Sequence, residues 1–304
     1  MRRVVGVKYE RSTRLYNRLY GVFAVRRGQN VIAINTHWGT EIIKILDDGD
    51  IETVTKLTNS RVEYTDGLET VISIKIKKDE FETIKYAAAA EFEDIFGLKI
   101  NNIYELEPTR DEKFATNGKD VLACGLGCTK YGQNGIEWTI LKDKLIEIAE
   151  YVGGYWYIAT GKDLIIVDND GKIVRVWSFK NNGDGDIWVI KKCCHLLAVS
   201  TFYHLYLYDV SDPENPREIW NKGGFNGLVS IDFYKEYGIP RVLAATDKYN
   251  KMVKILNIGD GEELLSESFE LAPISVAFTR DYLVIGDEHP LTFEGRGFIF
   301  RFSY

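Results

Sequence analysis

The chain repeats one pattern of apolar and polar positions: two apolar residues, an alanine, an apolar residue or threonine, and a small polar residue. Clear copies of this pattern occupy residues 30–36, 120–125, 156–161, 195–201 and 241–247. Looser copies occupy residues 86–91 and 282–287. Short apolar runs bounded by polar or glycine residues are typical of buried strands, so the pattern predicts seven related β-strands.

The spacing of these copies predicts the architecture. Their central residues are Ala33, Ala88, Ala123, Ala159, Ala198, Ala244 and Ile285, separated by 55, 35, 36, 39, 46 and 41 residues. This spacing is close to the repeat of about 40 to 45 residues in a propeller blade with four strands. The sequence therefore predicts seven blades.

Further strands surround each copy. Apolar runs lead into the alanine strand at residues 20–25, 70–76, 187–190, 228–233 and 274–278, and others follow it at 41–49, 164–171, 205–212 and 253–261. A third set of strands follows at 51–57 and 172–179. Asp-Gly pairs at 48–49, 170–171 and 260–261 supply hairpin turns, because such turns need positive φ. Each unit thus has four strands, with the alanine strand second.

The fold class predicted is an all-β, seven-bladed propeller of four-stranded antiparallel blades, forming one domain over residues 1–304. The last unit reaches its third strand at residues 298–304, and a strand at 2–9 is predicted to complete that blade and close the ring. A six-bladed ring and an all-β sandwich remain alternatives. Residues 145–152 fit one strand, two strands or a short helix, and 11–19 and 108–117 are expected to be long loops.

One segment carries a family resemblance. Residues 205–219, Leu-Tyr-Leu-Tyr-Asp-Val-Ser-Asp-Pro-Glu-Asn-Pro-Arg-Glu-Ile, resemble the repeat of WD40-like and LVIVD-type β-propellers, with weaker echoes at 164–168 and 176–177. The Gly-His and Trp-Asp dipeptides of well-formed WD40 blades are absent from the chain. The resemblance implies a propeller that binds proteins, although a fold does not define a function.

The composition limits the classes of binding partner and bears on the cellular compartment. Hydrophobic residues make up 45% of the 304 residues, while a net charge of −7 and a pI near 5.3 argue against general polyanion binding. The sequence shows neither a signal-peptide core nor a run of membrane-spanning length, so a cytoplasmic protein is expected. Glutamine occurs only at positions 29 and 133, whereas Lys, Glu and Ile are plentiful, a bias that fits a hyperthermophile.

The turns between second and third strands hold the candidate binding residues, because in a propeller these turns gather on one face. Those residues are His37, Trp38, Tyr131, Phe202, Tyr203, His204, Tyr249, His289, Phe293 and Arg296. Aromatic side chains dominate the energetics of interfaces. We therefore predict a non-catalytic scaffold that binds a protein or a macromolecular complex through this face. The alternative that each ring packs on its neighbour or caps its own turn remains open.

Cysteine and acidic residues give weaker signals. Cys124 and Cys128 follow a second strand, whereas Cys193 and Cys194 precede one, so the two pairs are predicted to lie on opposite faces and not to share a zinc ion. Four cysteines are too few for a disulfide scaffold, and the adjacent pair suits reduced, buried thiols. The run 287–289, Asp-Glu-His, fits a solvated acidic turn better than a cation site. No metal or cofactor is predicted.

Two other functions stay as alternatives. Some WD40-like propellers are methylesterases, and by that resemblance His204 or His289 beside Asp287 would act as a base, although the chain has no nucleophile elbow or P-loop. The second alternative is binding of single-stranded nucleic acid through basic residues among the aromatic turns: Lys130, Lys162, Lys248, Lys251 and Arg296. The acidity of the chain weighs against this alternative.

Overall fold

A computed structural model describes residues 15–16, 19–26, 29–36, 39–48, 50–65, 69–77, 83–92, 98–106, 113–179, 185–288 and 295–302. Over these ranges the chain forms seven antiparallel sheets and no helix. The described part of the protein accordingly offers no helix with the length and apolarity needed to cross a membrane. Each sheet is a blade whose strands are lettered A to D from the innermost strand outward.

Strand β1 is Leu15–Tyr16, which belongs to the last blade. Blade 1 consists of β2 (Leu19–Arg26), β3 (Val31–Thr36), β4 (Gly39–Ile45) and β5 (Ile51–Thr58). Blade 2 consists of β6 (Ser60–Thr65), β7 (Glu69–Lys77), β8 (Thr83–Phe92) and β9 (Leu98–Glu105). Blade 3 consists of β10 (Lys113–Thr116), β11 (Val121–Gly132) and β12 (Gly135–Leu145).

Blade 4 consists of β13 (Ile148–Val152), β14 (Tyr155–Thr160), β15 (Asp163–Val167) and β16 (Ile173–Ser178). Blade 5 consists of β17 (Ile187–Cys193), β18 (Leu196–Thr201), β19 (Leu205–Asp209) and β20 (Arg217–Lys222). Blade 6 consists of β21 (Ile231–Glu236), β22 (Ile239–Asp247), β23 (Met252–Asn257) and β24 (Glu263–Ser268). Blade 7 consists of β25 (Ala272–Phe278), β26 (Tyr282–Glu288), β27 (Gly295–Arg301) and, outermost, β1.

Burial falls from the second strand outward. Every residue of β3 and β18 is buried, whereas four of the six residues of β16 are exposed. The second strand of a blade is covered by a neighbouring blade on each face, so both of its faces are apolar, which explains the continuous apolar pattern in the sequence. The outermost strand contacts solvent, so most of its residues are exposed, as in β16.

Packing between blades closes the ring. The described residues form seven buried hydrophobic clusters, and each cluster joins two consecutive blades. One of them joins the last blade to the first through Ala277 and Val284 on one side and Val22 and Ile43 on the other. The prediction of a seven-bladed all-β propeller is therefore confirmed, and the six-bladed alternative is wrong.

All seven A strands run in the same sense around the axis, which defines two faces. We call the upper face the one where A strands begin and B strands end, as shown by the pairing of Ile187 with Thr201 in blade 5. The turns between B and C strands lie on this face. The turns between A and B strands, such as Tyr237-Gly238, lie on the lower face.

The assignment of Ala88 to a B strand was wrong. Residues 70–76, expected to be an A strand, lie in β7, which is the B strand of blade 2, and Ala88 lies in the C strand β8. Ala87 and Ala89 of β8 belong to a buried cluster that contains the large rings of Tyr64 and Tyr104, so small side chains fit there. An alanine-rich strand is thus a response to bulky neighbours and does not mark one position in the blade.

Strand β11 reverses direction inside its assigned span. Nζ of Lys130 lies 3.1 Å from Oδ2 of Asp120, although ten extended residues would cover roughly 30 Å. The Cα atoms of Cys124 and Cys128 are 4.1 Å apart, where four extended residues would cover roughly 13 Å. The chain therefore folds back near Gly127, whose φ is +87°. The segment before this reversal serves as the B strand of blade 3, and the segment after it as the C strand.

The ambiguous segments of the sequence are now assigned. Residues 145–152 contribute to two strands, because Leu145 ends β12 and Ile148 begins β13. The expected loop at 108–117 contains the A strand of blade 3, and the expected loop at 11–19 contains β1 and the first residue of β2. Strand β1 pairs with the beginning of β27. The predicted closing strand at 2–9 lies outside the described residues.

Candidate functional site

Four aromatic side chains from blades 5 and 6 meet on the upper face. Phe202 lies at the centre, with its ring centroid 5.3 Å from that of Trp188, 4.7 Å from that of Tyr203 and 5.7 Å from that of Tyr249. Trp188 and Tyr203 contact Phe202 edge-on, whereas Tyr249 stacks on it. Trp188, Tyr203 and Tyr249 are 38%, 46% and 57% exposed. We call these four residues the aromatic cluster.

Backbone hydrogen bonds hold the Phe202-Tyr203 turn in place. The N–H of Gly227 donates to the carbonyl of Phe202 at 3.0 Å, and the N–H of Phe225 donates to the carbonyl of Tyr203 at 3.2 Å. The N–H of Thr201 donates to the carbonyl of His204 at 2.9 Å and closes the turn itself. The turn is therefore fixed to the segment that leads into blade 6.

The same segment fixes Tyr249. The N–H of Tyr249 donates to the carbonyl of Asn226, and the N–H of Lys248 donates to that of Gly227, each at 3.0 Å. A Cβ atom on Gly227 would lie 2.5 Å from the Tyr249 ring, so glycine is needed for this close approach. The carboxylate of Asp247 accepts hydrogen bonds from the Asn226 N–H and the Asn250 side chain. The exposed rings thus stand on a braced backbone.

His204 lies beside the aromatic cluster and is half-buried. Its ring centroid is 6.1 Å from that of Tyr206, and Nε2 would lie 2.7 Å from a Cβ atom on Gly223. The proposed pairing of His204 with Asp287 does not form, because these residues belong to different blades and Asp287 is bound by Arg296. His37, Trp38, His289 and Phe293, the other members of the predicted face, lie outside the described residues.

Arg296 forms ion pairs with Asp287 and Glu270. Its Nη2 lies 2.8 Å from the buried carboxylate of Asp287, and its Nη1 lies 3.1 Å from Glu270. Burial raises the pKa of Asp287, and the hydrogen bonds and charge of Arg296 act against that rise. Hydrogen bonding to Asp287 raises the pKa of Arg296. Arg296 thus anchors the start of β27, and the solvated acidic turn expected at 287–289 is wrong for Asp287.

Tyr131 and Lys130 were expected in an upper turn, and the structure corrects both. Tyr131 is buried between blades 2 and 3, with its ring centroid 6.0 Å from that of Tyr104. Lys130 is buried with Nζ 2.7 Å from Glu137 and 3.1 Å from Asp120. Both residues follow the reversal in β11, so they run back toward the lower face.

The other basic candidates are Lys248, Lys251 and Lys162. Nζ of Lys248 lies 5.8 Å from the centroid of the Tyr249 ring. Nζ of Lys251 donates to the carbonyl of Glu270 at 3.0 Å, and Lys162 is an exposed residue of a neighbouring upper turn. Because Lys130 and Arg296 are engaged inside the fold, the basic set proposed for nucleic acid is smaller than expected.

The cysteines also differ from expectation. Cys124 and Cys128 form a disulfide across the reversal in β11, so these two residues are not thiolate ligands. Cys193 is a buried thiol as expected, whereas Cys194 is exposed at a lower turn. Within the described ranges, no group of three or more His, Cys, Asp or Glu residues is arranged to hold a metal ion.

Trp188 is the member of the aromatic cluster that sequence reasoning missed. It was read as part of an A strand and not as a surface residue. Its place on the upper face could have been inferred from strand pairing. The first residues of an A strand lie opposite the last residues of the B strand in an antiparallel pair, as Ile187 does with Thr201. Trp188 also lines a cavity on the ring axis, so the aromatic cluster borders the mouth of that cavity.

Comparisons with known proteins agree with the architecture. No protein-family model matches the sequence, and no curated protein matches it. A chain of the structure titled "Crystal Structure of Mitotic Checkpoint Complex" matches with a TM-score of 0.65 at 10% identity, over 97% of this chain and 95% of that one. The Cps50 (Swd1) β-propeller domain of Myceliophteria thermophila matches with a TM-score of 0.64 at 12% identity, over 97% and 100%.

The second of these structures is, by its title, a β-propeller domain. Together with the seven sheets of the ring, this similarity identifies the fold as a seven-bladed β-propeller. Identities of 10% and 12% show the fold and leave the function to be argued from the site.

Proposed function

We propose that the protein is an interaction scaffold that binds a protein partner on its upper face, with the aromatic cluster as the centre of the interface. The observation that carries this proposal is the exposure of Trp188, Tyr203 and Tyr249 around Phe202 on a braced backbone. Tyrosine and tryptophan supply a large contact area for little loss of side-chain entropy, and they are enriched where binding energy concentrates.

The architecture supports a protein as the class of partner. One of the similar structures is a chain of the mitotic checkpoint complex, which by its title is a macromolecular assembly. The engagement of Lys130 and Arg296 within the fold weakens the case for a nucleic acid. We therefore retain the protein partner as the proposal, and a nucleic acid becomes an outcome of the test.

The test is affinity capture from the native extract with a triple variant, Trp188→Ser, Tyr203→Ser and Tyr249→Ser. We expect the wild-type chain to retain a protein that the triple variant loses. The matched control is Tyr237→Asn, which removes a tyrosine that is 95% exposed on the lower face. Asparagine suits that position because its φ is +50°.

Equal capture by the triple variant and the wild type would place the interface elsewhere. Retention of single-stranded RNA or DNA in place of protein, with a strong dependence on salt, would contradict the proposed class of partner. Thermal unfolding followed by circular dichroism checks that the variants are folded. The three substituted rings are partly exposed, so we expect a small change in stability.

A further inference from the structure

A cavity of about 440 Å³ lies on the ring axis. It is lined by residues of all seven blades, and most of these residues belong to the first halves of the A strands or directly precede them, from Gly21 in blade 1 to Ile274 in blade 7. Glu147, Trp188 and Val229 lie where A strands begin, so the lining of the cavity reaches the upper face. Trp188 stands at its rim.

Two contacts cross the channel at the inner end of the cavity. Nζ of Lys191 in blade 5 donates to the carbonyl of Thr65 in blade 2 at 3.0 Å. The hydroxyl of Tyr64 in blade 2 donates to the carboxylate of Glu150 in blade 4. These cross-ring bonds obstruct the channel toward the lower face. We call the resulting space the axial cup, open above and floored by Tyr64, Thr65, Glu150 and Lys191.

The charges lining the axial cup favour a cation. The charged residues that line it are four carboxylates, Glu63, Glu147, Glu150 and Asp232, and three cations, Arg61, Lys113 and Lys191, so the balance is negative. Glu150 and Asp232 are buried. Nζ of Lys191 donates to Thr65, and the charges of Arg61 and Lys113 lie near Glu63. The carboxylate of Asp232 accepts a hydrogen bond from the Phe278 N–H, and that of Glu150 accepts one from the Tyr64 hydroxyl; a carboxylate has further lone pairs that can accept N–H groups. Buried carboxylates attract an entering cation strongly, because the surroundings have a low dielectric constant.

A serine supplies a second, independent observation. Oγ of Ser275 is buried, lines the axial cup and has no hydrogen-bond partner among the described residues. A buried hydroxyl without a partner has lost its hydrogen bonds to water and gained none in return, so a ligand that bonds to it regains free energy. Oγ of neighbouring Ser230, by contrast, accepts a hydrogen bond from the Val276 N–H at 3.1 Å. The wall near Ser275 is thus ready to accept one further N–H group.

We propose that the axial cup binds an organic cation with several N–H donors, an alkylammonium or alkylguanidinium group. Its N–H groups would donate to Asp232, Glu150 and Ser275, and its alkyl stem would lie along the apolar wall that includes Ile190 and Ile231. The group is carried either by a free small molecule or by a lysine or arginine side chain of a bound protein. The site does not depend on protein binding at the aromatic cluster.

The test is isothermal titration calorimetry of the full chain with butylguanidinium and butylammonium, with butyrate as the anionic counterpart. We expect saturable binding of the cations and none of butyrate. Asp232→Asn and Ser275→Ala should each weaken cation binding by about tenfold, the loss of one hydrogen bond to a charged group. Asp170→Asn, which neutralises an exposed carboxylate of a lower turn, is the matched control and should leave the affinity unchanged.

Three results would overturn the proposal: no cation binding by the wild type, equal binding of butyrate, or full cation binding by both the Asp232 and Ser275 variants. A capped Gly-Arg-Gly peptide separates the two sources. Tighter binding of the peptide than of butylguanidinium supports the cation as a side chain of a partner, and exclusion of the peptide supports a free molecule. Tyr203→Ser and Tyr249→Ser together should leave cation binding intact, so failure of the proposed interface and failure of the axial cup are distinguishable.

Discussion

The carboxylate of Asp287 is fully buried, and the guanidinium of Arg296 approaches it with Nη2 2.8 Å from Oδ2. Arg280 and Asp281 form a second pair at the same distance of 2.8 Å, but the Arg280 side chain is 59% exposed and the Asp281 side chain 38% exposed. The two pairs differ mainly in burial. Coulomb attraction in water is screened, whereas a buried carboxylate that loses its partner keeps the full cost of its desolvation.

Arg296→Met should therefore destabilise the fold by about 3 kcal/mol, because it leaves the Asp287 carboxylate buried without its cation while methionine keeps much of the packing over Phe298. Arg280→Met is the matched control and should cost about 0.5 kcal/mol. Urea denaturation at neutral pH measures both. Equal effects of the two substitutions would contradict the role assigned to burial.

The disulfide between Cys124 and Cys128 predicts how many thiols react. Under denaturing, non-reducing conditions two of the four cysteines should be alkylated, and all four after reduction. In the folded protein Cys194 should react first, because it is exposed while Cys193 is buried. Mass spectrometry of the alkylated chain gives the counts. Alkylation of four cysteines without reductant would show that the bridge does not form in solution.

The same bridge should stabilise the fold. Closing a loop of five residues lowers the entropy of the unfolded chain, which corresponds to about 2 kcal/mol in the chain-entropy relation. The double variant Cys124→Ser and Cys128→Ser should lose roughly that free energy of unfolding. Cys194→Ser, the exposed free thiol, serves as the control and should leave the stability unchanged.

The repeat in the sequence was sufficient for the fold because B strands are apolar on both faces, and this pattern recurs. It failed in blade 2, where the alanines of β8 imitate a B strand because Tyr64 and Tyr104 leave them little room. It also failed in blade 3, where the chain reverses at Gly127, so that Tyr131 and Lys130 follow the turn in which they were expected. The composition of a strand does not show how large the side chains are that pack against it from other strands.

The sequence predicted only part of the candidate site. Phe202, Tyr203 and Tyr249 were found because the B–C turns share a face, and the structure brings these three together. Trp188 was missed because it lies in a strand, and only the strand register shows that it emerges beside the turns. The disulfide could not be predicted from spacing, since it depends on a 4.1 Å approach that the reversal creates.

Two glycines of blade 3 test that reversal. Gly127 and Gly135 have φ of +87° and +99°, so any side chain is strained at either position. A Cβ atom on Gly127 would lie 2.9 Å from Cα of Lys142 and 3.0 Å from the carbonyl oxygen of Ile140, whereas one on Gly135 would meet nothing within 4 Å. Gly135→Ala should cost about 1 kcal/mol from backbone strain alone.

Gly127→Ala should cost clearly more than Gly135→Ala, because the neighbouring backbone must also move. Chemical denaturation compares the two variants directly. Equal losses of stability would mean that β12 does not pass against Gly127, and the folded-back arrangement of β11 would then need revision.

Glu63 predicts a dependence of stability on pH. Burial raises the pKa of this carboxyl above its ordinary value of 4.5, while the Ser73 hydroxyl and the charges of Arg61, Lys75 and Lys113 act in the opposite direction. A carboxyl whose pKa is higher in the folded state stabilises the fold fully below pH 4.5 and loses that contribution as the pH rises through the raised value. The wild type should therefore lose stability relative to Glu63→Gln between pH 4.5 and neutrality.

The measurement is urea denaturation of the wild type and Glu63→Gln at several pH values from 4 to 8. The glutamine variant stays neutral and its side-chain oxygen still accepts the hydrogen bond from Ser73, so the free-energy difference in its favour should grow with pH and then level off. Glu263→Gln, which changes an exposed carboxylate of β24, should give a difference that varies little with pH. A difference for Glu63→Gln that shrinks as the pH rises would show that the cations around Glu63 outweigh its burial.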